Sequence, residues 1–264
     1  MNEHERVIDL SVEVPGTPEQ VWEAIATGPG ITSWFVPHEV EGREGGAVRM
    51  DFGPGFGEAT ATVAVWEPAH RVVFQSDGDH ALAHEWLVEA RDGSSCVVRL
   101  IVSGFGTGAD WDAQYDGLSN GWQIFLHNLR LYTTHFAGQY ARAIIPTRVT
   151  AGPKDAAFSR LCAAIGVPAD LHEGDRLQAA GPGVPALSAT VEGVQVTDAS
   201  RTYFLLVEDP APGIAFLTAE GSDDAVVVSF YLYLFGETGA AVKDEWTALL
   251  TDRFPPPNAA SLDG

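Results

Sequence analysis

Leu118, Trp122, Phe125, Leu129, Tyr132 and Phe136 recur at alternating spacings of four and three. At about 100° per residue this puts all six on one narrow stripe of a helix. Upstream, for about a hundred residues, the pattern is different: short alternating segments separated by turns. A long helix with a single bulky face has to bury that face, and a sheet laid against it buries both elements at once. The expected class is therefore α+β, an antiparallel sheet wrapped around a long C-terminal helix.

The sheet is read between Gly45 and Gly104, where strands are predicted near 46–52, 58–66, 70–76, 81–90 and 95–104. Gly53-Pro54-Gly55, Asp77-Gly78 and Asp92-Gly93 separate them. Val72/Phe74, Leu82/His84/Trp86/Val88 and Val98/Leu100/Val102 share faces at period two, while Arg71, Glu85, Glu89 and Arg99 fall on the other side. One face is thus predicted to be solvated, as antiparallel sheets allow. Before it, Arg6–Val14 alternates like a strand and stops at Pro15-Gly16. Thr17-Pro18-Glu19-Gln20 then opens a helix with a threonine cap, a proline at the first position and a glutamine three after the cap. Val21, Trp22 and Ile25 give that helix its apolar face, and a second short turn is predicted at Ile31–Phe35. The long helix is predicted to follow Phe105-Gly106-Thr107-Gly108 and to end near Ile145-Pro146.

At 264 residues the chain is of a size at which one core divides in two. Gly53-Pro54-Gly55 recurs as Gly181-Pro182-Gly183, and Ala61-Thr62-Val63 as Ala189-Thr190-Val191, both 128 residues on; Phe105-Gly106 recurs as Phe235-Gly236 at 130. Order and spacing point to a degenerate internal duplication. The expected organisation is a first domain over 1–146, a linker over 147–154, a second domain over 155–254 and a flexible tail over 255–264. The second domain is read as a helix with Phe158, Leu161, Cys162 and Ile165 on one face. Strands near 186–196, 201–208, 213–219 and 225–235 follow, then a shorter helix with Val242, Trp246, Leu249 and Leu250. No counterpart of the first strand is evident. Tyr231–Phe235 is bulky on both faces, as a strand buried on both sides is.

The chain carries 36 acidic against 15 basic residues, a net charge of −21. Such a surface repels phosphate backbones and anionic lipid, so neither nucleic acid nor a membrane is an expected partner. The start, MNEHERVIDL, carries charges where an export signal needs an apolar core, and no apolar run approaches the ~20 residues of a membrane span. Cys96 and Cys162 form neither a CxxC nor a disulfide framework. The expected compartment is the cytoplasm.

Three motifs carry a resemblance. They are Pro18-Glu19-Gln20-Val21-Trp22-Glu23-Ala24 followed by Trp34-Phe35; Glu67-Pro68 with Arg71-Val72-Val73-Phe74; and Ser103-Gly104-Phe105 ahead of Gly121-Trp122. In this order they resemble the helix-grip fold of the START-like (SRPBCC) superfamily, and residues 6–145 resemble its branch related to the activator of heat-shock-protein-90 ATPase. Residues 155–254 resemble it through the internal repeat. The resemblance implies a cavity between sheet and long helix, used by many members for small apolar or amphipathic ligands and by some, such as aromatic polyketide cyclases, for catalysis. Where relatives often carry an aromatic residue at the end of the strand holding Phe74, this chain has Ser76, which implies a larger or more polar cavity.

The residues expected to line that cavity are Trp34, Phe35, Phe56, Phe74, His84, Trp86, Trp122, Phe125, Leu129 and Tyr132. Asp79-His80-Ala81-Leu82-Ala83-His84-Glu85 is the most metal-like stretch. On a strand, however, the Cα atoms of His80 and His84 lie about 13 Å apart, too far for one zinc. No metal and no cofactor is expected. His127 lies opposite the apolar stripe and is expected to be solvated. Neither Ser103-Gly104-Phe105-Gly106 nor the glycines around it complete a nucleophile-elbow or phosphate-loop pattern. The expected function is non-enzymatic binding of a small hydrophobic or amphipathic molecule, oriented by His84 or Tyr132. Two further readings stay open: an enzyme of cyclase or hydrolase type with His84 or Asp51 as base, and a chaperone-cofactor-like protein with a protein partner.

Overall fold

A computed structural model describes residues 6–53, 56–78, 81–221, 225–236 and 241–255. The chain divides into two compact units, Met1–Ala141 and Arg142–Gly264.

The first unit opens with β1 (Ile8–Pro15), α1 (Pro18–Ala26) and α2 (Gly28–Thr32). The predicted cap is present: Thr17 N–H donates to Gln20 Oε1 at 3.0 Å, and Gln20 N–H donates to Thr17 Oγ1 at 3.4 Å. β2 (His38–Val40), β3 (Ala47–Asp51), β4 (Glu58–Glu67), β5 (Arg71–Ser76), β6 (Ala83–Arg91) and β7 (Ser95–Ser103) follow. Together with β1 they form one antiparallel sheet in the order β1-β7-β6-β5-β4-β3-β2. β2 escaped the sequence reading because three residues are too few to show a period. The other strands stand close to their predicted positions, since one apolar face imposes alternation on each. The opposite face carries ion pairs, including Arg99–Asp9 and Arg71–Glu85. Gly104, in the third motif, has φ +95°, and a Cβ there would sit 2.6 Å from the Ala81 carbonyl oxygen. Only glycine turns the chain there without a clash.

α3 (Ala109–His135) is the long helix. It ends about ten residues earlier than predicted. Phe136 N–H caps Tyr132 O, and Gly138 takes a left-handed φ of +77°, so the chain turns and residues 141–144 are extended instead. Burial also spreads beyond the single stripe: Asn120, Ile124, Leu126, Asn128 and Leu131 are buried as well.

β8 (Ala141–Ile144) starts at the last residue of the first unit and opens the second, which continues with β9 (Thr147–Thr150), α4 (Lys154–Ile165), β10 (Arg176–Gln178), β11 (Ser188–Val196), β12 (Ser200–Asp209), β13 (Gly213–Gly221), β14 (Val226–Phe235) and α5 (Ala241–Arg253). Its sheet runs β10-β11-β12-β13-β14-β8, with β9 also paired to β14. The expected linker over 147–154 is corrected here: Thr147–Thr150 pair antiparallel with Val226–Ser229, and α4 already begins at Lys154. β9 is therefore the counterpart of β1 that the sequence did not reveal. Four residues flanked by Pro146 and Gly152-Pro153 carry too little pattern to read as a strand. Both units share one connectivity, in which a first strand pairs with the last and helix-separated antiparallel strands lead to a terminal helix.

In the second unit one sheet face packs against Phe158, Leu161, Cys162 and Ile165 of α4 and Trp246, Leu249 and Leu250 of α5. The alternate residues of β12–β14, among them Phe204, Phe216 and Tyr233, are buried too. The Tyr233 hydroxyl has no hydrogen-bond partner among the described residues. Tyr233→Phe is therefore expected to be neutral or to stabilise by about 1 kcal/mol in denaturant unfolding; a clear loss of stability would show that the hydroxyl is satisfied. Burial pushes the Cys162 thiol up to about 12, so it is protonated and inert at neutral pH. Among the described residues no helix is long and apolar enough to cross a membrane. The tail expected to be flexible over 255–264 lies, from residue 256 on, outside the described residues.

Candidate functional site

The first unit encloses a cavity of about 420 Å³ between α3, the end of α2 and one face of the sheet. Its size comes from what is missing. Ala59 and Ala61 on β4 and Ser76 on β5 supply the sheet side with small groups, while Gly117 and Gly121 supply the helix side with none. In register, Met50 faces Ala59, Val48 faces Ala61, Ala61 faces Ser76 and Phe74 faces His84. Small residues therefore occupy the middle of the sheet, and large ones border them.

Around this floor stand the aromatic rings. Phe35 meets Phe125 edge-on at 4.4 Å and Trp122 at 4.9 Å between ring centroids. Trp86 meets Trp122 at 5.3 Å and Trp34 at 5.8 Å. Two anchors hold the corner that carries Trp34 and Phe35: Trp34 Nε1–H donates to Ala24 O at 2.8 Å, and Asn128 Nδ2–H donates to Trp34 O at 2.7 Å. Asn128→Ala, which leaves that buried carbonyl unpaired, is expected to cost about 2 kcal/mol in denaturant unfolding. A change below about 0.5 kcal/mol would show that the corner holds without it.

Seven of the expected residues are brought together here: Trp34, Phe35, Phe74, His84, Trp86, Trp122 and Phe125. Three are not. Phe56 lies in the turn after β3 and is 52% exposed, because a hairpin tip projects beyond the layer that covers the sheet. Leu129 is buried one turn past the cavity, where the helix packs directly. Tyr132 donates its hydroxyl to Gln139 O at 2.9 Å, outside the lining, and so cannot orient a molecule inside it. Asp51 accepts from Gly53 N–H at 2.8 Å and is exposed, which removes it as a base for chemistry in the cavity. His127 is partly buried rather than solvated, and burial with the Arg130 charge pushes it down to about 4. Asp79 and His80 of the metal-like stretch lie outside the described residues. Among the described residues no group of three metal-ligating side chains assembles.

The sequence reading missed His38, Met50, Phe52 and Gln114. His38 opens a strand too short to announce itself, and Gln114 lies outside the apolar stripe. His38 Nδ1 lies 2.7 Å from Val36 O. Since a carbonyl only accepts, the proton sits on Nδ1 and Nε2 is left as an acceptor. The His84 ring stands 5.6 Å from Trp122 and has no hydrogen bond among the described residues. Burial pushes both histidines down to about 4, and the His38 charge adds to the effect at His84. At neutral pH both are uncharged. Ser76 is already committed, donating to Leu82 O at 3.2 Å and accepting from Leu82 N–H at 2.8 Å. Among the described residues no Asp, Glu, Lys or Arg lines the cavity. The arrangement is an apolar, aromatic space with a few neutral polar points.

Residues 15–134 match the family described as activator of Hsp90 ATPase homolog 1-like protein. No curated protein matches the sequence. Among solved structures, the chain is similar to a protein from Mesorhizobium loti, at 16% identity over 50% of this chain and 98% of that one, with a TM-score of 0.44. It is similar to the Aha1 dimer from Colwellia psychrerythraea, at 19% identity over 48% and 96%, with a TM-score of 0.42. It is also similar to the di-domain ARO/CYC BexL from the BE-7585A biosynthetic pathway, at 14% identity over 96% and 99%, with a TM-score of 0.46.

Proposed function

We propose that the first unit, whose residues 15–134 belong to the activator of Hsp90 ATPase homolog 1-like family, binds a small, largely apolar molecule in its aromatic cavity without transforming it. The observation that carries this reading is the cavity itself: about 420 Å³, walled by rings and, among the described residues, lined by no Asp, Glu, Lys or Arg. That volume lies within the ~300–1,000 Å³ usual for small-molecule sites, which are apolar with a few placed polar groups. Affinity comes from apolar burial, at roughly 25 cal/mol per Å² removed from water. An enzyme working in the same space would have to use His84, a neutral imidazole whose ring is open to the cavity; a bell-shaped pH–rate profile for a turned-over substrate would favour that second reading.

Nile red, neutral and apolar, is the probe. Saturable binding with enhanced fluorescence is expected at one site per chain. Gly121→Leu is expected to weaken it by about tenfold or more, since one leucine adds most of a buried side chain to the space. A Cβ at Gly121 meets nothing within 4 Å, so the variant is expected to fold. Undiminished binding in Gly121→Leu, or no saturable binding to the wild-type chain, would count against the reading.

A further inference from the structure

The cavity's chemistry narrows what fits it. We propose that its ligand is an uncharged, flat aromatic molecule bearing a hydroxyl, the hydroxyl hydrogen received by His38 Nε2 and the ring seated along Gly117 and Gly121 of α3. This rests on the reading of the cavity as a small-molecule site.

Charge is the first filter. Among the described residues no Asp, Glu, Lys or Arg stands in the lining, so a carboxylate or ammonium entering the cavity would lose its hydration and gain no counter-charge from them. His38 and His84 do not supply one, because burial holds both neutral at physiological pH.

Hydrogen bonding is the second. The Val36 carbonyl fixes the His38 tautomer and leaves Nε2 able only to accept. Ser76 cannot serve as its donor, since both senses of its hydroxyl are taken by Leu82. An acceptor in an apolar space calls for a donor on the ligand, and a hydroxyl on a ring supplies one without adding charge. The same hydroxyl oxygen can accept as well. Trp122, 7% exposed, carries an indole N–H with no partner among the described residues.

Shape is the third. Gly117 and Gly121 lie one turn apart in the middle of α3, and a Cβ at either meets nothing within 4 Å. A mid-helix glycine costs about 1 kcal/mol relative to alanine. No neighbouring protein atom explains the absence of side chains here, whereas a ring lying against the helix does. Ala59 and Ala61 keep the facing sheet equally low, so the space between helix and sheet is a slot that admits a ring.

Displacement of Nile red from the full chain at pH 7.5 tests this with 2-naphthol, 2-methoxynaphthalene and 2-naphthoate. The first two share a ring system, and only the naphthol donates a hydrogen. 2-Naphthol is expected to bind about tenfold tighter than 2-methoxynaphthalene, and 2-naphthoate weakest of the three. His38→Phe is expected to bring 2-naphthol to the level of 2-methoxynaphthalene; the wild-type comparison decides the question even where that variant does not fold. Equal binding of naphthol and its methyl ether, or tightest binding of the naphthoate, would overturn the inference and leave the cavity reading standing. Failure of Nile red and all three compounds to bind would overturn both.

Discussion

Acidification from pH 7 to about 4 is expected to strip several kcal/mol from the stability of the first unit, ahead of any general loss of carboxylate interactions. His38, His84 and His127 are each pushed down to about 4 by burial, against an unfolded value near 6.5. Above pH 6.5 both states are neutral and the stabilising difference is fully present. As the pH falls from 6.5 towards 4 the unfolded chain takes up protons that the folded chain refuses, so stability falls with it. Below about 4 the folded rings protonate too, and the loss from these sites levels off. A value of about 4 in the folded chain against 6.5 in the unfolded one corresponds to about 3 kcal/mol per site as an upper figure. The Asp9–Arg99 pair acts lower on the pH scale, because Arg99 holds the Asp9 carboxyl below its ordinary value. Urea midpoints between pH 7.5 and 4 are expected to fall steeply in the wild-type chain and less steeply in a variant carrying both His38→Gln and His84→Gln. Imidazole resonances followed by NMR give a direct reading: midpoints near 4 support the argument, and midpoints near 6.5 would end it.

Trp34→Ala is expected to cost about 4 kcal/mol, at the upper end of core truncations. Trp34 is 1% exposed, its indole N–H is bonded to Ala24 O, and its ring stacks on Phe35 and meets Trp86 edge-on. Its removal leaves a void beside an existing cavity, together with an unpaired carbonyl on α1. That side of the site cannot close over the gap, because Asn128 still holds the Trp34 backbone in place. The urea midpoint is expected to drop at nearly constant slope, with Nile red binding weakened in parallel. A loss below about 1 kcal/mol would show that the corner at Trp34–Phe35 repacks freely.

How much of this was legible beforehand depends on the range of the signal. Periodicity is local, so the α+β class, the strands β3 to β7, the helix α3 and the apolar residues Trp122 and Phe125 could all be read from spacing alone. Helix α4 was legible for the same reason, with Phe158, Leu161, Cys162 and Ile165 buried on one face. Short elements lack a period, which is why β2 and β9 went unseen and why α3 was drawn past Gly138. The stripe also overreached as a list of site residues: it groups Trp122 with Leu129 and Tyr132, although only the first borders the cavity.

By itself, then, the chain's order of apolar and polar residues determined which segments become helix and strand and which faces they bury, because those choices depend on neighbours a few residues away. The cavity is a different kind of fact. It exists because Ala59, Ala61 and Ser76 on the sheet lie opposite Gly117 and Gly121 on a helix more than forty residues later. Small residues in sequence mark no site, and only their meeting across the fold leaves a space. The neutral state of His38 and His84 was likewise decided in three dimensions, since burial is a property of everything packed around a ring and not of the ring's own position in the chain.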